Sequence, residues 1–323
     1  MKKNFLMFVI FFVSFINISI YSQLSGSYNI PGNFATVEAA IDSLNQVGVG
    51  GNVTFNVAAG HTETFSKISA GLITATGYPD SQITFQKFGS GANPLITAAQ
   101  GGVSNSRDGI IVIAGGDYIT FDGMDVQENP LNTTKQNMME WGYALVKASK
   151  DPPINGCRYV TIKNCNITLN KSNGSASGIY ANNHTADTTL TLTLGDSLDI
   201  MSYCKFYSNT ISNVNNGIRL VGSTNAAFLD QYNEVGVDGG NNISNYSNGS
   251  SSAYGMNLEY QNNLKVANNI VNGGGAAQTG ALYGIRTGSA TNANLDVYNN
   301  TVTLVQGGTS LIYAIVNSTG SSG

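Results

Sequence analysis

The chain has 323 residues, of which only 11% are charged, with a net charge of −4 and 38 glycines. Charge well below the roughly 25% of ordinary globular chains, acidic in balance, offers no general attraction to nucleic acid. Cys157, Cys165 and Cys204 are too few and odd in number for a disulfide framework, and His61 and His184 lie in no Cys/His run with metal-ligand spacing, which argues against a zinc site.

Residues 1–22 place two lysines before an apolar run that ends in small and polar residues near Ser22. This is the layout of a secretory signal peptide, so the mature chain is expected to start at Gln23 and export machinery is an implied partner. A membrane anchor is the competing reading. The run is short and broken by Ser14, Asn17 and Ser19, with no later apolar stretch, so no membrane span is expected after cleavage.

Residues 23–100 read as an N-terminal cap helix with opening rungs. In "FATVEAAIDSLNQVG", Val37, Ala40, Ile41 and Leu44 fall at helical spacing, and the helix should end near Gly48. "NVTFNVAAG", "QITFQKF" and "PLITAA" then read as strands.

Residues 101–323 are repeats. An A motif, a small residue followed by an apolar one, recurs at Gly109-Ile110, Ala144-Leu145, Gly178-Ile179, Gly217-Ile218, Gly255-Met256, Gly284-Ile285 and Ala314-Ile315. Between its copies runs a B motif, apolar-x-apolar-x-(Asn or Gly), in "ITFDGMDV", "VTIKNCNI", "CKFYSNTI", "LKVANNIV" and "LDVYNNTV", with a weaker copy "VDGGNNIS". Period-2 alternation within motifs that recur every thirty to forty residues predicts short strands stacked turn upon turn in a parallel β-helix, an all-β solenoid. Its inward columns are Leu145, Ile179, Ile218, Met256, Ile285 and Ile315 from A, and Ile119, Val160, Cys204, Val237, Leu264 and Leu295 from B. Lys147 and Asn317 also fall in a nominally inward column, which suggests that A ends at a turn. Asn164, Asn241, Asn268 and Asn299 share a turn position suited to left-handed backbone angles, so the N-x-S/T sequons there read as turn ladders before glycosylation sites. Tyr143, Tyr254, Tyr283 and Tyr313 form a further column, read as a stacked ladder at a turn, with a sugar-binding platform as the alternative.

These alternating motifs resemble the right-handed parallel β-helix proteins of the pectin-lyase-like superfamily. The opening "FATVEAAIDSLN…GNVTFNVAAGHTE…ITFQ" is similar to exported β-helix repeat proteins of Bacteroidota. That resemblance implies a secreted protein, or one on the outer surface of a Gram-negative cell, carried by the type IX machinery. The C-terminal sorting domain of such relatives is not recognisable here, and the sequence stops just after an A motif, as a truncated chain would. The fold hosts lyases, hydrolases, adhesins and spacers alike.

Superfamily lyases hold acidic sugars through aspartates with calcium and abstract the proton with Arg or Lys, so outward columns rich in such groups are the places to look. The B column Thr120, Thr161, Lys205, Asp238, Lys265, Asp296 alternates in sign and reads as a weak structural ladder. Asp122, Asp125 and Glu128, and Asp230, Glu234 and Asp238, keep calcium open as the one candidate cofactor, although neither set follows an EF-hand pattern. The A column Val146, Tyr180, Arg219, Asn257, Arg286, Val316 sets two arginines two rungs apart, about 10 Å, facing solvent. Tyr180, Arg219, Asn257 and Arg286 are therefore the candidate ligand-binding residues, suited to an acidic polysaccharide or cell-surface glycan, with isolated surface arginines as the alternative. The resulting expectation is a secreted or surface β-helix module that binds glycan or spaces other domains, with a polysaccharide lyase or glycoside hydrolase as the alternative. The long inserts at 182–203 and 223–236 are poor in Lys and Arg, and no carboxylate pair stands out.

Overall fold

The computed structural model describes residues 22–102, 108–288, 290 and 293–318. Residues 1–21, nearly all of the segment expected at 1–22 to be a signal peptide, lie outside the described residues. Three parallel sheets of nine, eight and eight strands run the length of the molecule, and successive rungs each contribute one strand to every sheet. This is a parallel β-helix. The B motif forms the first sheet, the apolar stretch after it the second, and the A motif the third, so one continuous core extends from Leu24 to Ile285.

The helix Val37–Val47 forms as its spacing predicts. Val37, Ala40, Ile41 and Leu44 are buried, and Gly48 ends it at φ 65°. The Thr36 hydroxyl accepts from Ala39 N at 3.1 Å, while the Glu63 carboxylate, from the second sheet, accepts from Val37 N and Glu38 N at 2.7 and 3.0 Å. The first helical turn is thereby satisfied and tied to the solenoid it covers.

Stacking in register explains the A motif's small residue. A Cβ at Gly142, Gly178, Gly217, Gly255 or Gly284 would lie 2.3–2.9 Å from the carbonyl oxygen of the next rung and 2.3–2.6 Å from a methyl of the second sheet. The residue after the glycine lies inside: Ile179, Ile218, Met256 and Ile285 in four of these copies, and Tyr143 after Gly142.

Register also corrects several sequence expectations. In the A motif's second copy Tyr143, not Leu145, pairs with Ile179, and Ala144, not Val146, pairs with Tyr180; the small residue there is Gly142. In its first copy Ile111, not Ile110, pairs with Tyr143. Parity is preserved for Leu145, which remains buried, and Ile218, Met256 and Ile285 align as expected. Ile315 pairs with Ile285 but is 52% exposed in the last described rung. Lys147 is buried opposite Thr185 beside a register break, and Asn317 lies within the strand Ile312–Ser318, paired with Thr287 and exposed in the last described rung, so neither is a turn position.

In the first sheet the "VDGGNNIS" segment is not a rung. Glu234-Val235 pairs with Lys205-Phe206, so Glu234 replaces Asp238 in the charged column and Asn233 takes the inward place expected for Val237. Asn233 is fully buried and satisfied: it accepts from Cys204 N at 2.9 Å and donates to Gln261 Oε1 at 3.0 Å. Lys205 reaches Glu234 at 3.6 Å, a partly exposed pair worth at most about 1 kcal/mol.

The asparagine turns divide two tasks between neighbouring positions. Asn164, Asn268 and Asn299 adopt left-handed angles, with Gly123 and Ser208 equivalent to them; Asn241 does not. Asn241 belongs instead to a buried ladder through Asn209, Asn241, Asn269 and Asn300, in which each side-chain oxygen accepts from the backbone N and the side-chain amide of the preceding asparagine at 2.9–3.0 Å. The amide nitrogens also donate to carbonyls of the first sheet. The side-chain amides of these asparagines are thus paired within the protein. Tyr254, Tyr283 and Tyr313 stack at 4.7 and 5.3 Å as expected, but Tyr143 lies in the core and donates to Met124 O at 2.6 Å.

Candidate functional site

The outer face of the third sheet carries the expected column. Tyr180 pairs with Arg219, Arg219 with Asn257, and Asn257 with Arg286. The structure divides this column into two halves. Arg286 Nη1 reaches Glu259 Oε1 at 2.7 Å and Asn257 Oδ1 at 3.1 Å, Asn257 donates to Glu259 Oε2 at 3.3 Å, and the guanidinium lies over the Tyr254 ring. Arg286 Nε also donates to Ser318 Oγ at 3.4 Å, and the Glu259 carboxylate neutralises the guanidinium. Arg219 has no carboxylate or hydrogen-bond partner among the described residues and lies 5.7 Å from the centroid of Tyr180.

Beside Arg219 opens a cleft of about 270 Å³ whose walls include Glu140, Trp141, Tyr180, Asn182, His184 and Arg219. Trp141 stacks on Tyr180 at 4.7 Å, and the guanidinium lies close to the same ring, an aromatic and cation–π arrangement that fixes Tyr180 in place. The Tyr180 hydroxyl accepts from Asn182 Nδ2 at 2.8 Å and lies 2.8 Å from His184 Nε2. His184 Nδ1 lies 2.8 Å from Thr185 O, which can only accept, so the ring proton sits on Nδ1 and Nε2 accepts the Tyr180 hydroxyl proton. Burial raises the Tyr180 pKa above its ordinary value, opposed by Arg219 and Asn182.

Asn182 and His184 reach this face because of a bulge. Leu145 pairs with Ala181 and Lys147 with Thr185, so two extra residues are accommodated in the later strand, and the chain then continues into the insert whose Thr189 lines the cleft. Glu140 closes the opposite end. It is 3% exposed, and its carboxylate accepts from Asp108 N at 2.9 Å and Asn173 Nδ2 at 2.8 Å. Burial, with the nearby Asp108 and Glu128 carboxylates adding to it, pushes the Glu140 pKa up to about 7 despite those hydrogen bonds.

Glu140, Trp141, Asn182 and His184 were not singled out by the repeat. One signal was present: "EWGYAL" carries its aromatic residue just before the small residue, as "AYGMNL" and "LYGIRT" do, so Trp141 is the counterpart of Tyr254 and Tyr283. The bulge has no such mark.

The acidic segments do not converge. Asp122 pairs with Lys163 at 3.1 Å, Asp125 accepts from Asn93 and Asn166, Glu128 accepts from Met139 N and Asn132, and buried Asp230 accepts from Met201 N. No group of three or more metal-ligating side chains occurs among the described residues. No helix among them is long and apolar enough to cross a membrane.

No family model and no curated protein matches the sequence. Among solved structures the chain is similar to Escherichia coli YbhC, at 11% identity and a TM-score of 0.47 over 95% of this chain and 87% of that one. It is also similar to a GH136 lacto-N-biosidase from Eubacterium ramulus, at 11% identity and a TM-score of 0.43 over 90% and 66% of the two chains. An alginate lyase from Paenibacillus matches at 11% identity and a TM-score of 0.40 over 87% and 97%. Likenesses this distant say nothing about chemistry, and what stands is the architecture read from the molecule itself: this chain is a parallel β-helix protein.

Proposed function

We propose that this protein is a secreted or surface-displayed glycan-binding module that holds an acidic sugar in the cleft beside Arg219. The observation that carries this reading is the division of the arginines: Arg286 is neutralised by Glu259, while Arg219 is unpaired against an aromatic stack at the mouth of a cleft. A guanidinium with free donors suits a carboxylate, and the rings beside it suit the apolar face of a sugar. The N-terminal segment, with its signal-peptide layout, supports export.

Trp141 is the only tryptophan in the chain, so its fluorescence reports on the cleft. Titration with oligogalacturonate and alginate oligomers should change that fluorescence, more strongly at low than at physiological salt. Arg219→Ala should weaken binding about tenfold or more, the worth of a charge-assisted hydrogen bond. Arg286→Ala should leave affinity within about twofold, as a residue outside the contact would. Equal loss from both variants, or no response to either oligomer, would refute the reading.

The Tyr180–His184 pair favours a second reading, cleavage of a uronate chain by β-elimination. In that reaction the proton α to the carboxylate is removed, the C–O bond to the next sugar breaks, and the departing oxygen takes up a proton. A phenol that can exchange its proton with an imidazole suits both transfers. Unsaturated products that form with wild type and not with Tyr180→Phe would establish it; binding without such products leaves the module non-catalytic.

A further inference from the structure

At the corner where each rung enters the first sheet, Tyr118, Tyr159, Tyr203 and Tyr232 succeed one another in the left-handed region, at φ 52–58°. Such angles are unusual for a bulky side chain. The backbone does not require tyrosine there. Each of these residues donates its N–H to the carbonyl just before the equivalent residue of the next rung, and in the rung after Tyr232 that equivalent residue is Asn263, at φ 52°. The left-handed turns between the first and second sheets likewise use Gly123, Asn164, Ser208, Asn268 and Asn299. Four successive rungs thus place tyrosine in a conformation that asparagine and glycine fill at the other turns; a further tyrosine, Tyr260 at φ 56°, adopts it outside the column.

The four rings stack in parallel, with centroids 4.5, 4.8 and 5.0 Å apart. Unlike the buried Phe55–Phe85–Phe121 stack inside the helix, this one keeps its edge in solvent, with Tyr159, Tyr203 and Tyr232 each about 40% exposed. The Tyr203 and Tyr232 hydroxyls have no hydrogen-bond partner among the described residues. They face a groove of about 240 Å³ whose opposite wall is the insert segment with Leu198 and Ile200. That wall is built: Ile200 packs with Ile154 and Leu194 in a small core of its own, and the Asp199 carboxylate accepts from the backbone of Asn155, Gly195 and Asp196.

The groove's chemistry differs from that of the cleft. Its one cation, Arg158, is held by Asp117 through both side chain and backbone. What remains is a row of hydroxyls, each able to donate and accept, repeated at about five Å along the axis and opposed by the exposed aliphatic Leu198. A ligand matched to that surface is uncharged, rich in hydroxyls, apolar on one side and periodic.

We propose that this groove is a second glycan site, which takes a neutral polysaccharide lying along the tyrosine column. It is independent of the acidic-sugar cleft, which lies on the outer face of the third sheet.

Affinity electrophoresis in native gels containing hydroxyethylcellulose, mixed-linkage β-glucan, galactomannan or dextran tests it. Wild type should be retarded by at least one of these polymers. The Tyr203→Phe, Tyr232→Phe double variant keeps the stacked rings and removes only the hydroxyls, and its affinity should fall roughly tenfold. Tyr203→Asn with Tyr232→Asn keeps side chains that tolerate the left-handed turn and removes the rings; it should show no retardation while its circular dichroism melt stays cooperative. Arg219→Ala should be retarded like wild type. Absence of retardation with all four polymers, full retardation of the Phe variant, or loss of retardation in Arg219→Ala would each overturn the proposal, the last by assigning neutral-glycan binding to the other cleft.

Discussion

Replacing Glu140 by glutamine should change stability in opposite directions at acid and alkaline pH. In the folded protein this carboxyl titrates near 7 against an ordinary value of 4.5, because it is buried beside Asp108 and Glu128. Between those two values the folded state holds a proton that the unfolded chain has released, so stability falls as pH rises through the window and is flat above it. A shift of that size, at 1.36 kcal/mol per pH unit, makes the ionised carboxylate about 3 kcal/mol unfavourable by pH 8. Glutamine removes the charge but places an amide where the carboxylate accepts from Asn173 Nδ2, at a loss of about 1 kcal/mol. Glu140→Gln should therefore be about 1 kcal/mol less stable than wild type at pH 5 and about 2 kcal/mol more stable at pH 8. Urea unfolding followed by far-ultraviolet circular dichroism at several pH values gives the difference directly. Glu128 and Asp230, whose pKa values burial also raises, add to the slope in both proteins and cancel in the comparison. A difference that keeps one sign and size from pH 5 to 8 would show that Glu140 is not the burdened carboxyl.

Two further substitutions test the scaffold. Asn241→Ala removes the acceptor for Asn209 N and the donor to Phe206 O, leaving buried groups unpaired, and should cost about 3 kcal/mol or more in urea unfolding; a loss below about 1 kcal/mol would mean that the ladder is ornamental. Gly217→Ala brings a methyl to 2.4 Å from Gly255 O and 2.6 Å from Ile243 Cγ2, so it should destabilise by about 1–3 kcal/mol, with a lower melting temperature as the measure.

The period of the solenoid and the Tyr180-Arg219-Asn257-Arg286 column were legible because each follows from a local alternation that stacking in register preserves, and the cap helix because its apolar residues keep helical spacing. Alignment failed where the chain leaves the period. The short strand Glu234–Val235 lies inside the 223–236 stretch read as an insert and precedes the Asn-rich segment that looked like a rung, so the B column slipped onto Val237 and Asp238. At Tyr143 a bulky residue occupies the isoleucine position, and the alignment favoured Ala144-Leu145 over Gly142-Tyr143. The cleft was hidden for a different reason. It depends on two inserted residues within one strand and on a glutamate whose neighbours come from other rungs, and neither leaves a trace in spacing. The tyrosine column, by contrast, was written in "DYIT", "RYVT", "SYCK" and "QYNE", each just ahead of a B motif or its equivalent.

The three unpaired cysteines turn the interior of this molecule into a timekeeper. All are buried; burial pushes the Cys157 and Cys165 thiols up to about 12 and raises Cys204 well above its ordinary value. A thiol-reactive dye meets neither an accessible sulfur nor a thiolate while these rungs are closed. Cys157 and Cys165 flank the strand Thr161–Lys163, and Cys204 precedes its neighbour Lys205–Tyr207, so the pace of labelling counts the openings of two adjoining turns at the middle of the solenoid.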